Sequence, residues 1–385
     1  MYEYHRLLAE INLDSIAKNV RAIKERLDEK TKLLAVVKAD AYGHGAEEVS
    51  KVCLFNGADE LAVATCDEGV QIRNCSIKVP ILILGNTVLG QIETVINYEL
   101  TQTVFSFERA KIMSEIARKI GKTAYVQIKI DTGMSRIGFL PNDDEILEIK
   151  KIFELPNIKV TGVFTHFATA DEKDKSFTLE QFRKFEYVTK KLNEMGYTDF
   201  DRHCANSGTI LDLKEFQMDM VRAGIIIYGM YPSEEVRKEV KLYPAMSLKT
   251  QISYVKELEK GVSIGYGRTY FTKRKTKVAT IPIGYADGYF RAFSNKAKVI
   301  VNGEFAKVIG NVCMDQTMID VTDIKDVKEG DCVIVMGKEN EKQVLAEDLA
   351  KIAGTINYEI VCNVGKRVPR VYIKNGEIIN TKKVN

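Results

Sequence analysis

Residues 33–45 run Leu33-Leu34-Ala35-Val36-Val37-Lys38-Ala39-Asp40-Ala41-Tyr42-Gly43-His44-Gly45. An apolar run bounded by a turn predicts a short buried strand, with Lys38 at its carboxyl end. A lysine there projects into the mouth of an α/β core, where catalytic groups collect. Burial favours the neutral amine, the form that makes a Schiff base. The same spacing also describes a lysine that snorkels from a sheet edge to water. On spacing alone both readings stand.

The pattern repeats outward from this strand. Further strands are expected at Leu61–Ala64, Ile81–Leu84, Gln102–Phe105, Tyr125–Ile130, Lys159–Thr165, Arg202–Ala205 and Asp219–Ile227. Amphipathic stretches lie between them, for example Asp14–Leu27, Glu108–Ile120 and Leu179–Met195. Strand–helix alternation of this kind predicts an α/β fold, a (β/α)8 TIM barrel with a parallel sheet. Lys38, Arg136, His166 and Asn206 follow expected strand ends, Arg222 is grouped with them although it falls within 219–227, and a barrel gathers such ends on one face. After about Leu242 the texture changes to short β-rich runs: Leu248–Val255, Val278–Ile283, Lys298–Val301, Met318–Val321 and Cys332–Met336. Turns such as Asp287-Gly288 and Asn302-Gly303 separate them, which predicts a mostly antiparallel β domain.

Composition narrows the classes of function. The 385 residues suit two domains, and 45% hydrophobic content supports a sizeable core. Basic and acidic side chains number 56 and 53, a net charge of only +3. No basic stripe interleaved with aromatics stands out, so nucleic acid is not an expected partner. No apolar stretch approaches membrane-spanning length, and the polar start of the chain lacks a signal-peptide core, so no membrane association is expected. The seven cysteines form no CxxC pair, which points to free thiols in a reducing cytoplasm. The four histidines form no metal-ligand pattern, and no metal is expected.

Residues 35–45, AVVKADAYGHG, closely resemble the cofactor-lysine segment of the alanine racemase family, whose members use pyridoxal 5′-phosphate (PLP). Further segments resemble the same family in the same order: KIDTGMSRIGF (129–139), THFATADE (165–172), HCANSGTIL (203–211), VRAGIIIYG (221–229), VSIGYGRTY (262–270), GYADGYFR (284–291) and GNVCMDQTMID (310–320). The likeness continues to YEIVCNVGKRVPRVY (358–372) and covers nearly the whole chain. It implies a PLP-binding barrel over residues 12–241. Residues 1–11 and 242–385 would form a β domain that contributes to the active site of a partner subunit, so that a symmetric homodimer carries two shared sites.

The resemblance assigns roles residue by residue. Lys38 carries PLP and is one of two catalytic bases; Tyr266 is the other, acting on the opposite face of the substrate carbon. Tyr42, Asn206, Ser207, Gly224, Ile225 and Tyr358 line the phosphate site. The sequence itself suggests Ser207 as the cap of a short helix there. Arg222 faces the pyridine nitrogen, which a guanidinium leaves unprotonated. His166 and Arg136 supply positive charge near Tyr266, with Arg222 relaying through His166. Arg136 and the backbone N–H of Met314 bind the substrate carboxylate. Lys129 stands where many members carry a carbamylated lysine. Asp171, Tyr285 and Arg291 belong to the entrance. Taken alone, Tyr266 also reads as a turn residue, Asn206-Ser207 as an ordinary helix cap, and Cys313-Met314 as core packing.

The implied activity is interconversion of L- and D-alanine, with D-alanine supplied to peptidoglycan. A broad-specificity racemase, or a serine or basic amino-acid racemase, of the same architecture is the alternative. A decarboxylase of this plan usually has a glutamate in place of Arg222, and a PLP carrier needs no second base. Three departures stand out. Ser135 replaces a usual glycine, Gly265 a common serine, and Asn311 a frequent arginine.

Overall fold

The computed structural model describes residues 5–382 and divides the chain into two compact units. One unit comprises Ile16–Ala41 and Ala46–Tyr243; the other holds the chain up to Ser15, Tyr42–Gly45 and Pro244 onward.

The first unit is built on eight parallel strands: Lys32–Val36, Glu60–Val63, Ile81–Ile83, Thr101–Val104, Ala124–Lys129, Ile158–Phe164, Asp201–His203 and Met220–Ala223. Seven pair in chain order, and Met220–Ala223 pairs with Lys32–Val36 (Leu34 opposite Arg222). At the seam, Asp219 N–H donates to Arg202 O (3.2 Å) and Arg222 N–H to Ala205 O (2.9 Å), which joins the two ends of the sheet. Leu33–Val36 are all buried, as expected for a parallel strand covered on both faces. Intervening helices start where the sequence supplies caps. Thr65 and Glu68 form a capping box for Cys66–Asn74, while Ser106 and Asn142 cap Phe107–Lys119 and Asp143–Phe153.

The apolar run 219–227 is not one strand. Its strand ends at Ala223; Gly224 turns the chain, and Ile225–Tyr228 form a 3-10 turn. Residues 220–228 are all buried, strand and turn alike, so hydrophobicity alone does not mark the break.

The second unit holds a ten-strand path, in spatial order Tyr254–Leu258, Thr276–Ile281, Thr317–Asp320, Glu304–Val308, Lys298–Val301, Cys332–Glu339, Met246–Gln251, Leu7–Asn12, Arg370–Lys374 and Glu377–Lys382. Pairing along it is antiparallel except between Leu7–Asn12 and Arg370–Lys374. The run 248–255 divides into two strands at Ile252-Ser253, where Ile252 N–H turns to Asp331 O (2.9 Å) and Ser253 N–H to Thr280 O (2.9 Å). A separate two-stranded hairpin, Ser263–Ile264 with Tyr270–Phe271, carries Tyr266 at its tip.

Candidate active site

Lys38 follows the strand Lys32–Val36 and is half-buried. The chain then makes a turn that propensity does not foresee. Ala39, Asp40, Ala41 and Tyr42 all have φ between 50° and 55°, a left-handed turn built from L-residues. Each such residue costs about 1–2 kcal/mol. The surroundings hold the turn in place: Ala41 N–H donates to Val37 O (2.9 Å), Ala39 N–H to Glu68 Oε1 (2.7 Å), and Ala46 N–H to Asp40 Oδ1 (2.8 Å). Strained backbone maintained by specific hydrogen bonds is a mark of a functional segment.

Arg222 organises the same end of the barrel. Its side chain is buried and donates to Thr165 O (2.7 Å), His203 O (3.0 Å) and Cys204 O (3.2 Å). It also reaches His203 Nδ1 (2.9 Å) and His166 Nδ1 (3.3 Å). A guanidinium only donates, so both Nδ1 atoms accept and the neutral rings carry their protons on Nε2. His203 Nε2 lies 3.0 Å from Gln127 Oε1, which accepts that proton. Burial and the Arg222 charge push both histidines well below their ordinary range. Burial pulls Arg222 down to about 10, which still leaves it cationic at neutral pH. His203 and Gln127 are site residues that sequence reasoning missed. His203 is present in HCANSG, but its place inside the expected strand Arg202–Ala205 gives no sign that it faces Arg222.

Lys129, the last residue of its strand, is buried and donates to Ile130 O (2.6 Å). Burial, with Arg222 and Arg136 nearby in charge, pulls its amine down to about 7. Arg136 is exposed on the following loop, next to Ser135.

Asn206, not Ser207, caps the short helix Ser207–Asp212: its Oδ1 accepts from Thr209 N–H (3.1 Å). Ser207 is the first helical residue, and its Oγ accepts from Gly224 N–H (3.0 Å). This bond ties the start of one turn to the start of the other. A Cβ on Gly208 would meet the Ala170 and Asp171 backbone at 2.9 Å, so only glycine fits. The first N–H groups of helical turns have no intrahelical partner, which leaves those at Ser207–Gly208 and after Gly224 free to serve an anion. Asp171 is half-buried beside this segment, and its carbonyl accepts from Ser233.

In the second unit, the Tyr42 and Tyr358 rings lie 6.0 Å apart. Tyr266 is 71% exposed, Met314 54% and Tyr285 43%. Gly265 (φ 66°) and Gly267 (φ 71°) flank Tyr266 in the left-handed region, which explains glycine rather than serine at 265. Tyr285 N–H donates to Cys313 O (3.0 Å) and Ala286 N–H to Met314 O (3.1 Å), which ties the two segments together. Beneath them, the buried Asp287 carboxylate accepts from Arg6 (2.6 Å) and Arg367 (2.7 Å); Arg367 also reaches Asp315 (2.6 Å). Arg291 is exposed at the start of the short 3-10 turn Arg291–Phe293. Among the described residues no cluster could hold a metal ion, and no helix is long and apolar enough to cross a membrane.

Residues 11–232 match the model of the alanine racemase N-terminal domain, and residues 245–372 that of the alanine racemase C-terminal domain. The chain belongs to the alanine racemase family. Alanine racemase of Clostridium perfringens is 53% identical over 97% of both chains. Alanine racemase of Clostridium difficile 630, a solved structure, is 45% identical over 98% of both chains with a TM-score of 0.94. A more distant solved relative is histidine racemase from Leuconostoc mesenteroides subsp. sake, 28% identical with a TM-score of 0.88, covering 97% of this chain and 99% of that one. The family places the chain among the isomerases, as an amino-acid racemase.

Proposed function

We propose that this protein interconverts L- and D-alanine with PLP as cofactor, by a two-base mechanism, and that two copies share each active site. The observation that carries the reading is Arg222: a buried cation, not a carboxylate, at the strand-end face that also bears Lys38. PLP, when bound, supplies an electron sink that weakens the Cα–H bond. Lys38 would hold it, and Arg222 would face its ring nitrogen without giving up a proton. The N–H groups of Ser207 and Ile225, the Ser207 hydroxyl, and by resemblance Asn206, Tyr42 and Tyr358, fit its phosphate.

Proton transfer on both faces of one carbon requires two bases in different places. Lys38 Nζ would take the proton of the D-enantiomer and Tyr266 Oη that of the L-enantiomer. By resemblance, Arg136 supplies positive charge near Tyr266. Arg136 and the Met314 N–H would hold the substrate carboxylate. Lys129, with its amine pulled down to about 7, has enough neutral form to react with carbon dioxide, which supports a carbamate that orients Arg136. The exposed Tyr266, Met314 and Tyr285 have the large, uncovered side chains expected of residues completed by a second subunit. Asp171, Tyr285 and Arg291 would frame a narrow entrance suited to a methyl side chain. Seven free cysteines support a cytoplasmic location, where D-alanine would feed peptidoglycan synthesis.

The test is Cα hydrogen exchange of L- and D-alanine in deuterated water with PLP-loaded protein, followed by chiral analysis. Wild type is compared with Lys38→Ala and Tyr266→Phe. Racemisation by wild type, with Tyr266→Phe losing mainly exchange from L-alanine, supports the two-base reading. Bound PLP with no exchange on either enantiomer sinks it. Preference for serine or histidine in the same assay would move the substrate to the alternative racemases of this architecture.

A further inference from the structure

The Tyr266 ring is mostly exposed, so its own chain holds it chiefly through the backbone. That backbone is an unusual one. Gly265, Gly267 and Arg268 all have positive φ (66°, 71° and 49°), and a turn of this kind has several alternatives of similar energy. Asn311 Nδ2 donates to the Tyr266 carbonyl at 2.7 Å, on the residue whose side chain matters.

Asn311 is itself firmly seated. Gly310 N–H donates to Asn295 Oδ1 (2.6 Å), and Val312 N–H to Ser294 Oγ (2.9 Å). Asn295 Nδ2 also reaches Thr269 Oγ1 (3.1 Å), a second link to the Tyr266 turn. The loop bearing Asn311 continues within three residues into Met314. One short segment therefore carries the tether on Tyr266 and the backbone N–H assigned to the substrate carboxylate.

We propose that Asn311 is a positioning residue for Tyr266: its side-chain amide fixes the tyrosine carbonyl and so the direction in which Oη is presented. The role rests on the reading of Tyr266 as the base for L-alanine. It predicts an asymmetric defect. Removing the tether misplaces Tyr266 and leaves Lys38 untouched, so exchange from the L-enantiomer suffers and exchange from the D-enantiomer does so much less.

The experiment uses PLP-loaded protein with Asn311→Ala and Asn311→Asp, the latter nearly isosteric but without a donor. Two readouts are taken: deuterium uptake by peptides covering residues 263–272, and Cα exchange rates from each enantiomer. Tyr266→Phe is run alongside. The expected result is faster uptake in that segment alone, with a fall of roughly tenfold in exchange from L-alanine and a much smaller one from D-alanine. Unchanged uptake overturns the tether. Faster uptake with equal losses on both enantiomers overturns the positioning role. If Tyr266→Phe shows no bias toward L-alanine, the base assignment fails; faster uptake in the Asn311 variants then limits Asn311 to a structural tether and overturns its positioning role.

Discussion

Arg222 and His203 meet at 2.9 Å, with the histidine Nδ1 accepting from the guanidinium and its Nε2 side facing Gln127 Oε1 at 3.0 Å. The chain of donors has one direction. Arg222 can only donate, which fixes the His203 tautomer, which in turn fixes what Gln127 must do. Burial, and then the Arg222 cation in contact with it, hold His203 well below the ordinary range.

His203→Leu keeps much of the volume and removes the acceptor. Arg222 then loses one partner and Gln127 another. A loss of about 1–3 kcal/mol in unfolding free energy is expected, with kcat lowered roughly tenfold as Arg222 shifts. Urea denaturation and steady-state kinetics check both. Unchanged values on both counts would show that Arg222 is fixed by its carbonyl partners alone.

Lys129 makes stability depend on pH in a defined direction. Its amine titrates at about 7 in the native protein against an ordinary value of 10.5. Between those values the unfolded chain binds more protons than the native one, so this group makes stability rise with pH. Below about 7 both states are protonated and the burial penalty is constant. Lys129→Gln should flatten the slope between pH 7 and pH 9 in bicarbonate-free buffer, measured by denaturant unfolding. Equal slopes in wild type and variant would refute a titrating amine at this position.

Ser207→Ala leaves the buried Gly224 N–H without its 3.0 Å acceptor. An unsatisfied buried donor costs about 1–3 kcal/mol. Because the bond joins the two turns assigned to the phosphate, PLP affinity should fall with stability, as read by absorbance titration. Gly208→Ala tests the close approach at 2.9 Å separately. Overpacking there should cost about 1–3 kcal/mol.

Ser135 stands in the left-handed region at φ 55°, where its resemblance to the family leads one to expect glycine. The Asp131 carboxylate holds the turn by accepting from Ser135 N–H and Gly133 N–H, each at 3.0 Å. Ser135→Gly relieves the backbone strain at some entropic cost, so a net gain of about 0.5–1 kcal/mol is expected. Thermal unfolding measures it. A loss of stability would mean that the serine side chain contributes more than the strain takes away.

The sequence by itself determined the architecture. Apolar runs such as Leu33–Val37 and Ile81–Leu84 are too short for helices and too continuous for half-exposed strands, and the amphipathic stretches between them have the helical period. Local physics therefore sufficed for the parallel barrel, and the Asp-Gly and Asn-Gly turns sufficed for the β-rich remainder. It also showed which residues follow strand ends, because topology alone sends those to one face. What tertiary structure decided was the pairing of groups distant in sequence and the backbone forced at a few points. Gln127, His203 and Arg222 converge only because the sheet closes: the strand of Arg222 meets that of His203 at the seam, and the strand of Gln127 lies one further on, beyond Ile158–Phe164. The four left-handed residues after Lys38 oppose their own propensities and persist through bonds to Glu68 and Ala46. The strand after Arg222 stops at Gly224 although its apolar run continues, since a buried strand and a buried 3-10 turn expose the same surface to water: none. Asn206 rather than Ser207 caps the helix Ser207–Asp212: both residue types make good caps, and Ser207 Oγ is engaged instead by Gly224 N–H.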